Sequence, residues 1–171
     1  MFIIFDESQS WYFDENIDKC TNPGDKEALK ADEGFKESNE MYSINGLCFG
    51  NLVDLTMNQN EKVDWYLLGM GNEVDMHTVH FHGQTFLHKS VGYHREDVYD
   101  IFPGIFATVE MIPDSVGVWL LHCHVNDHMV HGMQTLYTVE EQAPVPASTA
   151  ASTVASGLFV GLLLAAVVAL Y

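Results

Sequence analysis

The residues of this chain best suited to chemistry are its histidines and one cysteine, which are typical ligands of copper and zinc. Of the nine histidines, seven lie in two short stretches, and a cysteine stands in the second stretch between two of them. An isolated histidine ordinarily has no ligand role, but two clusters around one cysteine favour metal binding. The clusters are His77, His80 and His82, followed by His122, His124, His128 and His131 with Cys123.

Strand alternation divides these residues between two sites. Successive side chains of a strand point to opposite faces of its sheet, so the two histidines of residues 122–124 share one face and Cys123 points to the other. Within residues 77–82 the first histidine has the opposite parity to the other two. If the two strands are neighbours, four histidines converge on one side of the sheet, and His77 and Cys123 lie on the other.

The segment after Cys123 supplies further donors for the sulfur-containing site. His128 lies five residues after Cys123, and Met133 lies five residues after His128. One thiolate, two imidazoles and a thioether form the ligand set of a blue-copper site, because soft sulfur favours Cu(I) and imidazole accepts Cu(II). Zinc is the rival metal, since it accepts cysteine and histidine, but zinc gives no reason for the methionine. Exposed loop positions without a ligand role are expected for His88, His94 and His131.

These side chains must be positioned mainly by strands. Short aromatic and β-branched runs broken by turn residues are frequent, and helix-period stripes are scarce, so the sequence predicts an all-β class. A tight hairpin between two apolar runs is predicted at Asn45 and Gly46, a short helix over Lys26–Ala31, and surface loop over the rest of residues 14–40. Strands are predicted in the stretches FIIF, KVDWYLL, HTVHFH, IFATVEMIP, GVWLLHCHV and MQTLYTVEE.

The charge of the chain limits its partners. Acidic residues outnumber basic ones 24 to 7, and the formal net charge is -17, so nucleic acid is not an expected partner and cations are. Cys20 and Cys48 lie outside the histidine clusters. A disulfide between them is favoured over two free thiols, because the C-terminal composition indicates the secretory route.

The composition changes after the last predicted strand. We expect residues 1–142 to form one domain, residues 143–157 a linker and residues 158–171 a hydrophobic anchor or anchor signal. A spanning helix needs about 20 apolar residues and usually basic flanks, whereas this run is shorter and Arg95 is the last basic residue. A glycolipid-anchor signal is therefore favoured over a single-pass helix, although counting from Ala150 gives a run long enough to span. Either anchor predicts the extracellular face of the plasma membrane.

A resemblance to the multicopper oxidases, in the branch of ceruloplasmin and hephaestin, rests on the motifs HTVHFHG, DIFPG, GVWLLHCHVNDHMVHGM and MGNEVD. It spans about Phe2–Glu141 and implies a cupredoxin-like Greek-key sandwich with copper as cofactor. Because the start lacks an export signal, we expect the chain to be the C-terminal piece of a longer protein. The resemblance implies type 1 copper ligands at His77, Cys123, His128 and Met133, a type 2 ligand at His80, and type 3 ligands at His82, His122 and His124.

The resemblance also implies an activity. In this branch Fe(II) is oxidised at type 1 copper and O2 is reduced to water at a trinuclear cluster, which makes the family activity a ferroxidase. The link from Cys123 to His122 and His124 is the implied electron route. The cluster takes its other histidines from an N-terminal domain, so this chain alone is not expected to reduce O2.

The iron site implied by the resemblance departs from the family pattern. Glu37 and Asp127 match its acidic positions, but Tyr42 stands where a histidine is expected, and Glu40 is close enough in sequence to compensate. Two other functions remain open. A stand-alone electron-transfer cupredoxin would leave the second histidine group idle, and a non-catalytic domain, as in coagulation factors V and VIII, would not need complete ligand sets.

Overall fold

The computed structural model describes residues 1–20, 24–72 and 75–142, and over these residues it is mostly β-sheet. The strands are Phe2–Asp6 (β1), Glu40–Ile44 (β2), Thr56–Asn58 (β3), Val63–Leu68 (β4), His77–Phe81 (β5), Phe86–Ser90 (β6), Gly92–Glu96 (β7), Val98–Ile101 (β8), Phe106–Met111 (β9), Gly117–Cys123 (β10) and Gln134–Glu140 (β11). The helices are Phe13–Lys19 (α1), Lys26–Ala31 (α2), Glu33–Glu37 (α3) and Asn126–Val130 (α4). The predicted all-β class is confirmed, and each predicted strand stretch contains a strand.

Two sheets share one hydrophobic core and form a sandwich. The strand order is β3-β11-β10-β5-β8 in one sheet and β4-β9-β6-β7 in the other, and β1 pairs with β2 in a third, two-stranded sheet. Phe81 of the first sheet lies at the centre of this core, with its ring 4.9 Å from Trp65 and 5.7 Å from Phe86 of the second sheet. Burying such a ring stabilises the fold by about 1.5–3 kcal/mol, so the two sheets hold the metal-binding strands rigidly.

The segment before β3 contains more helix than the sequence predicts. The helix predicted over Lys26–Ala31 is confirmed as α2, but the surface loop expected around it is wrong, because α1 and α3 form on either side. Asp25 and Asp32 cap α2 and α3 by accepting hydrogen bonds from backbone N–H groups of the first turns. The rings of Phe13 and Phe35 lie 6.0 Å apart and connect α1 with α3.

Of the hairpin predicted at Asn45 and Gly46 the turn is confirmed, but the second strand is wrong, because no strand forms between β2 and β3. Both residues have positive φ, 53° and 81°, and one antiparallel bridge closes the turn. The backbone turns again at Phe49, with φ 56°, so the apolar run after the turn does not become a strand. β2 pairs instead with β1, which places Tyr42 opposite Ile4.

The disulfide expected between Cys20 and Cys48 is wrong, because both cysteines are free. Cys20 follows the last residue of α1 on the surface, where its thiol donates to the carbonyl oxygen of Asn16 at 3.5 Å. Cys48 is half-buried beside the turn after β2, and burial raises the pKa of its thiol. Cysteine spacing along a chain does not determine the distance between two thiols, which is why the sequence misled here.

The predicted linker, residues 143–157, and the predicted hydrophobic segment, residues 158–171, lie outside the described residues. Among the residues that are described, the longest helix has seven residues, and none has the length and apolar character needed to cross a membrane.

Candidate metal centres

Strands β5 and β10 are neighbours, which is the condition that the alternation pattern set for two separate metal sites. They pair antiparallel, with His80 opposite His122 and Val79 opposite Cys123. Because opposite residues of an antiparallel pair point to the same face, this register brings His80 and His122 together. Cys123 points to the other face and is fully buried.

The sulfur-containing group consists of His77, Cys123 and His128, whose donor atoms all lie within 4.8 Å of one another. They come from the start of β5, the end of β10 and α4. Cys123 Sγ lies 3.5 Å from His128 Nδ1, and the ring centroids of His77 and His128 lie 5.3 Å apart. His77 and Cys123 are buried and His128 is only partly so, which makes the His128 ring the side of this group nearest solvent.

His77 is held ready to donate a lone pair. Its Nε2 lies 3.0 Å from the carbonyl oxygen of Met70, which can only accept, so Nε2 carries the proton. Nδ1 is then the lone-pair nitrogen, and it is buried without a hydrogen-bond partner among the described residues. An unpaired buried nitrogen is costly unless a ligand satisfies it. Burial also lowers the pKa of His77, so the ring is neutral at neutral pH, as a metal ligand must be.

The surroundings of Cys123 favour a thiolate that is bound to a cation over a thiolate with no bound ion. Its sulfur accepts a hydrogen bond from Thr78 N–H at 3.4 Å, and its own N–H donates to the carbonyl oxygen of Met133 at 3.0 Å. Burial raises the pKa of the thiol, so the protein alone favours the protonated form. A coordinated metal ion reverses this balance, because a coordinating thiol loses its proton.

Met133 belongs to the same group through the backbone. Its side chain is fully buried, and its N–H donates to the carbonyl oxygen of His128 at 2.9 Å. From outside the loop, Phe49 N–H donates to the carbonyl oxygen of Gly132 at 2.7 Å. The orphaned His77 nitrogen, the thiol and the second imidazole fit copper, and bound copper supplies one-electron redox chemistry at this position.

The imidazole group consists of His80, His82 and His122, whose donor atoms also lie within 4.8 Å of one another. His80 Nδ1 donates to the carbonyl oxygen of Asp97 at 2.9 Å, and His122 Nδ1 donates to that of Cys123 at 2.8 Å. Both Nε2 atoms are therefore lone-pair donors. Burial and, secondarily, the neighbouring imidazoles lower the pKa values of His82 and His122.

His124 lies at the edge of this second group. Its ring centroid is 5.4 Å from that of His80 and 5.4 Å from that of His122, but its donor atom is not among those that converge within 4.8 Å. A cavity of about 610 Å³ opens beside the group and is lined by His80, His82, Asp97 and other residues. A ligand on these imidazoles is thus accessible from solvent.

The two groups are joined by three consecutive residues. Cys123 is covalently linked to His122 and His124 through the backbone, and the Cys123 carbonyl accepts the His122 ring proton. The sulfur group and the imidazole group therefore share one strand and one direct through-bond path.

The residues predicted for an iron site are spread over three elements. Glu37 ends α3, Glu40 begins β2 and Asp127 lies in α4, and they are not among the residues whose donor atoms converge. The Tyr42 hydroxyl donates to Glu40 Oε2 at 2.8 Å. Burial, then the hydrogen bond to Glu40, then the charges of Glu40, Glu37 and Asp75 raise the pKa of Tyr42. These three carboxylates make the surroundings of its hydroxyl negative.

Tyr42 is also the neighbour of two histidines, a contact that strand and motif patterns did not predict. Its ring lies 5.4 Å from that of His128 and stacks on that of His131 at 5.2 Å. His131 is exposed at the end of α4, as expected. The loop positions expected for His88 and His94 are wrong, because these residues face each other across β6 and β7.

The backbone carbonyls that orient the ligand-type histidines could not be predicted from the sequence either. Met70 and Asp97 orient His77 and His80 through backbone oxygens, which no residue type encodes. Such contacts are set by where the segments that contain Met70 and Asp97 pass β5 in the fold.

A β-sandwich with a cysteine–histidine group and an imidazole group on adjacent strands is a copper-binding domain of the cupredoxin type. Residues 21–143 match the family model described as multicopper oxidase. The chain therefore belongs to the multicopper oxidase family, whose cofactor is copper.

Curated relatives and solved structures agree with this assignment. Human ceruloplasmin is 55% identical over 139 residues, which are 81% of this chain and 13% of that protein. Human ferroxidase HEPHL1 is 49% identical over 158 residues, 91% of this chain and 14% of that protein, and human hephaestin is 49% identical over 139 residues, 81% and 12%. The chain thus spans about one eighth of the length of these relatives. A multicopper oxidase from Campylobacter jejuni has the same fold, with a TM-score of 0.58 at 17% identity over 82% of this chain and 29% of that one.

Proposed function

We propose that this chain is the C-terminal part of a copper-dependent ferroxidase that couples oxidation of Fe(II) to reduction of O2 to water. The proposal rests on one observation: His77, Cys123 and His128 converge in a chain similar to ceruloplasmin, hephaestin and ferroxidase HEPHL1, and the buried His77 Nδ1 has no hydrogen-bond partner among the described residues. Four Fe(II) ions supply the four electrons that, with four protons, convert one O2 to two waters.

The proposed ligand roles follow the two groups. His77, Cys123, His128 and Met133 hold type 1 copper. His80 holds type 2 copper, and the type 3 ligands are His82, His122 and His124. Electrons pass from the type 1 site through Cys123 to the histidines on either side of it.

The proposed route of substrate electrons begins at the negative surface around Tyr42. Glu37, Glu40 and Asp127 attract Fe(II), since carboxylates suit iron, and the tyrosine ring beside His128 connects this surface to the type 1 site. Tyr42 itself lacks the imidazole donor expected in this branch, so the carboxylates carry the affinity for iron.

The proposed protein is larger than this chain. N-terminal cupredoxin domains of the same polypeptide supply the remaining histidines of the trinuclear cluster. Residues 158–171 direct the protein to the extracellular face of the plasma membrane, either as a single span or as a signal that is replaced by a glycolipid attached near Ser148 or Ala150. Release of the cell-surface protein by phosphatidylinositol-specific phospholipase supports the glycolipid anchor, and release by detergent alone supports the span.

The type 1 assignment is tested with Cys123→Ser in the copper-loaded chain. Loss of the intense blue absorption is expected, because that absorption requires a copper–thiolate bond. Cys48→Ser is the matched control and keeps the colour. Blue absorption that survives in Cys123→Ser would remove the basis of the proposal.

One further function is favoured by a specific observation: the sulfur group is complete within this chain, as an independent electron-transfer cupredoxin requires. Copper counting separates the two functions. The electron-transfer protein binds a single copper and gains no O2 reduction when the N-terminal domains are supplied, whereas the ferroxidase gains both copper and O2 consumption with Fe(II).

A further inference from the structure

His88 and His94 form a cross-strand pair in the β6–β7 hairpin. They lie directly opposite each other in the antiparallel register of the two strands. Opposite residues of such a pair point to the same face of the sheet, with Cβ atoms about 4.5–5.5 Å apart. Glu96 lies two residues after His94 on β7, so it points to that face as well. Three side chains of the types that bind divalent cations therefore share one face of this hairpin.

The shared face borders a cavity at the edge of the sandwich. The cavity has a volume of about 470 Å³. Two imidazoles, two carboxylates, a valine and a tyrosine line it: His88, His94, Glu96, Val98, Tyr99 and Asp100. The last three belong to β8, the final strand of the first sheet, and β7 is the final strand of the second. The cavity thus lies between the edges of the two sheets, and none of these residues belongs to the sulfur or imidazole groups.

The charges in this cavity are not balanced by protein cations. Neither of its carboxylates is in an ion pair with another part of the chain that the structure describes. The basic residues of the hairpin have other partners, since Lys89 Nζ donates to Glu110 Oε2 at 2.6 Å and Arg95 Nη1 donates to Thr85 Oγ1 at 3.1 Å. Neither basic residue lines the cavity. Two carboxylates beside two imidazoles favour a cation from solution.

His88 is the fixed member of the pair, and His94 is the adjustable one. The His88 ring is half-buried and packs edge-on against Tyr99, with ring centroids 4.5 Å apart. His94 is exposed. The donor atoms around this cavity are not among those that already lie within 4.8 Å of one another, so a cation must draw the exposed ring toward His88. Only surface side chains move in this step, because strand pairing already fixes both backbones.

We propose that this cavity binds one divalent transition-metal cation, such as Zn2+, through His88, His94 and Glu96. Two histidines and a glutamate, with water in the fourth position, are a known ligand set for zinc. Asp100 adds negative charge from the facing sheet. Among the described strands β7 pairs only with β6, so an ion held by residues of both strands fastens this edge strand to its sheet. The site is independent of the proposed ferroxidase function.

The test uses the full chain, Zn2+ as the probe, and amide hydrogen exchange of the peptides that contain β6 and β7. Zn2+ is expected to slow this exchange in the parent, because the ion connects the two strands. His94→Gln should need at least tenfold more Zn2+ for the same protection, and Glu96→Gln should change it in the same direction. The matched control is His131→Gln, which removes an exposed histidine far from the hairpin in sequence and should respond like the parent. Zn2+ bound at the sulfur or imidazole groups does not require His94, so the variant separates this site from them.

Two results would overturn the inference. The first is an exchange rate of β6 and β7 that Zn2+ does not change in the parent. The second is equal protection of the parent, His94→Gln and Glu96→Gln at every Zn2+ concentration, with circular dichroism showing that all three are folded. Failure of the proposed function has a different sign, the absence of blue absorption in the copper-loaded parent.

Discussion

At the scale of single residues, two donors of the sulfur-containing group are in an unfavourable state when no metal is bound. His77 has a buried nitrogen with no partner in the part of the chain that the structure describes, and burial makes the Cys123 thiolate unfavourable. Both deficits are removed by the same event, which is coordination of a soft cation. Met133 contributes differently, because its backbone joins His128 and Cys123 while its side chain fills the adjacent core.

Met133→Leu tests whether the thioether is a ligand. The two side chains have similar volumes, so the free energy of unfolding of the metal-free chain is expected to fall by less than about 1.5 kcal/mol. Removing a weak donor favours the lower-coordinate Cu(I) state, so the reduction potential of the blue copper should rise. Redox titration of the absorption measures it, with Met57→Leu, the same change at another buried methionine, as control. An unchanged potential would exclude Met133 as a ligand.

The two cysteines outside the metal group should react as free thiols at different rates. Burial raises the pKa of Cys48, so its thiolate fraction stays small through pH 8 and increases only at higher pH. Alkylation followed by peptide mass spectrometry should label exposed Cys20 first and half-buried Cys48 more slowly, and the labelling of Cys48 should accelerate toward high pH. A Cys20–Cys48 disulfide in the unreduced protein would contradict this expectation.

At the scale of elements, the ligand loop between α4 and β11 is held by the turn after β2. Gly132 has φ 111°, and a Cβ there would lie 2.8 Å from the Phe49 ring, while the Phe49 N–H bonds the Gly132 carbonyl oxygen. The turn at Phe49 is therefore a structural support of the loop that leads from α4, which carries His128, to Met133. A metal loop supported in this way keeps its donors in place without metal.

Gly132→Ala should disturb this support. We expect a loss of about 1–3 kcal/mol in the free energy of unfolding, from backbone strain and overpacking, together with a broadened blue absorption band. Gly104→Ala is a matched control, because Gly104 also has positive φ, 76°, but nothing lies within 4 Å of an added Cβ. Urea unfolding and absorption spectra measure both effects. Equal effects of the two variants would show that the Phe49 contact contributes nothing.

The sequence could predict features that depend on residues close together in the chain, but not contacts between residues far apart in the chain. Alternation in HTVHFH and HCH predicted which histidines share a face, because strand geometry is local, and the pairing of β5 with β10 agrees with it. The starts of α2 and α3 are local features as well, because an aspartate caps each helix. The free state of Cys20 and Cys48, the Tyr42 stack on His131 and the carbonyl partners of His77 and His80 depend on contacts between distant segments, which no local pattern determines.

At the scale of the whole molecule, copper and folding should be linked. The donors of the sulfur group come from β5, β10 and α4, so the group does not exist in the unfolded chain. Binding to the folded state at a free copper concentration 100-fold above the dissociation constant stabilises it by about 2.7 kcal/mol.

This linkage predicts a rise in melting temperature of roughly 5–10 °C on copper loading, because a chain of this size shifts by about 2–4 °C per kcal/mol. Cys123→Ser should show a clearly smaller rise, since only sites without sulfur remain to bind. Scanning calorimetry with and without copper measures both. An equal rise in the parent and the variant would mean that the sulfur group is not the principal copper site.

Copper uptake depends on the antiparallel register of β5 and β10, so it also indicates whether the strands are correctly paired. Because the sulfur and the imidazoles alternate along β10, inserting or deleting one residue there would exchange the two faces and separate every donor from its partners. A chain folded in a slipped register would still look like a β-sandwich but could not take up copper. Bound copper would therefore report correct strand alignment. Molecules with the blue absorption would also be the molecules whose strands pair in the correct register.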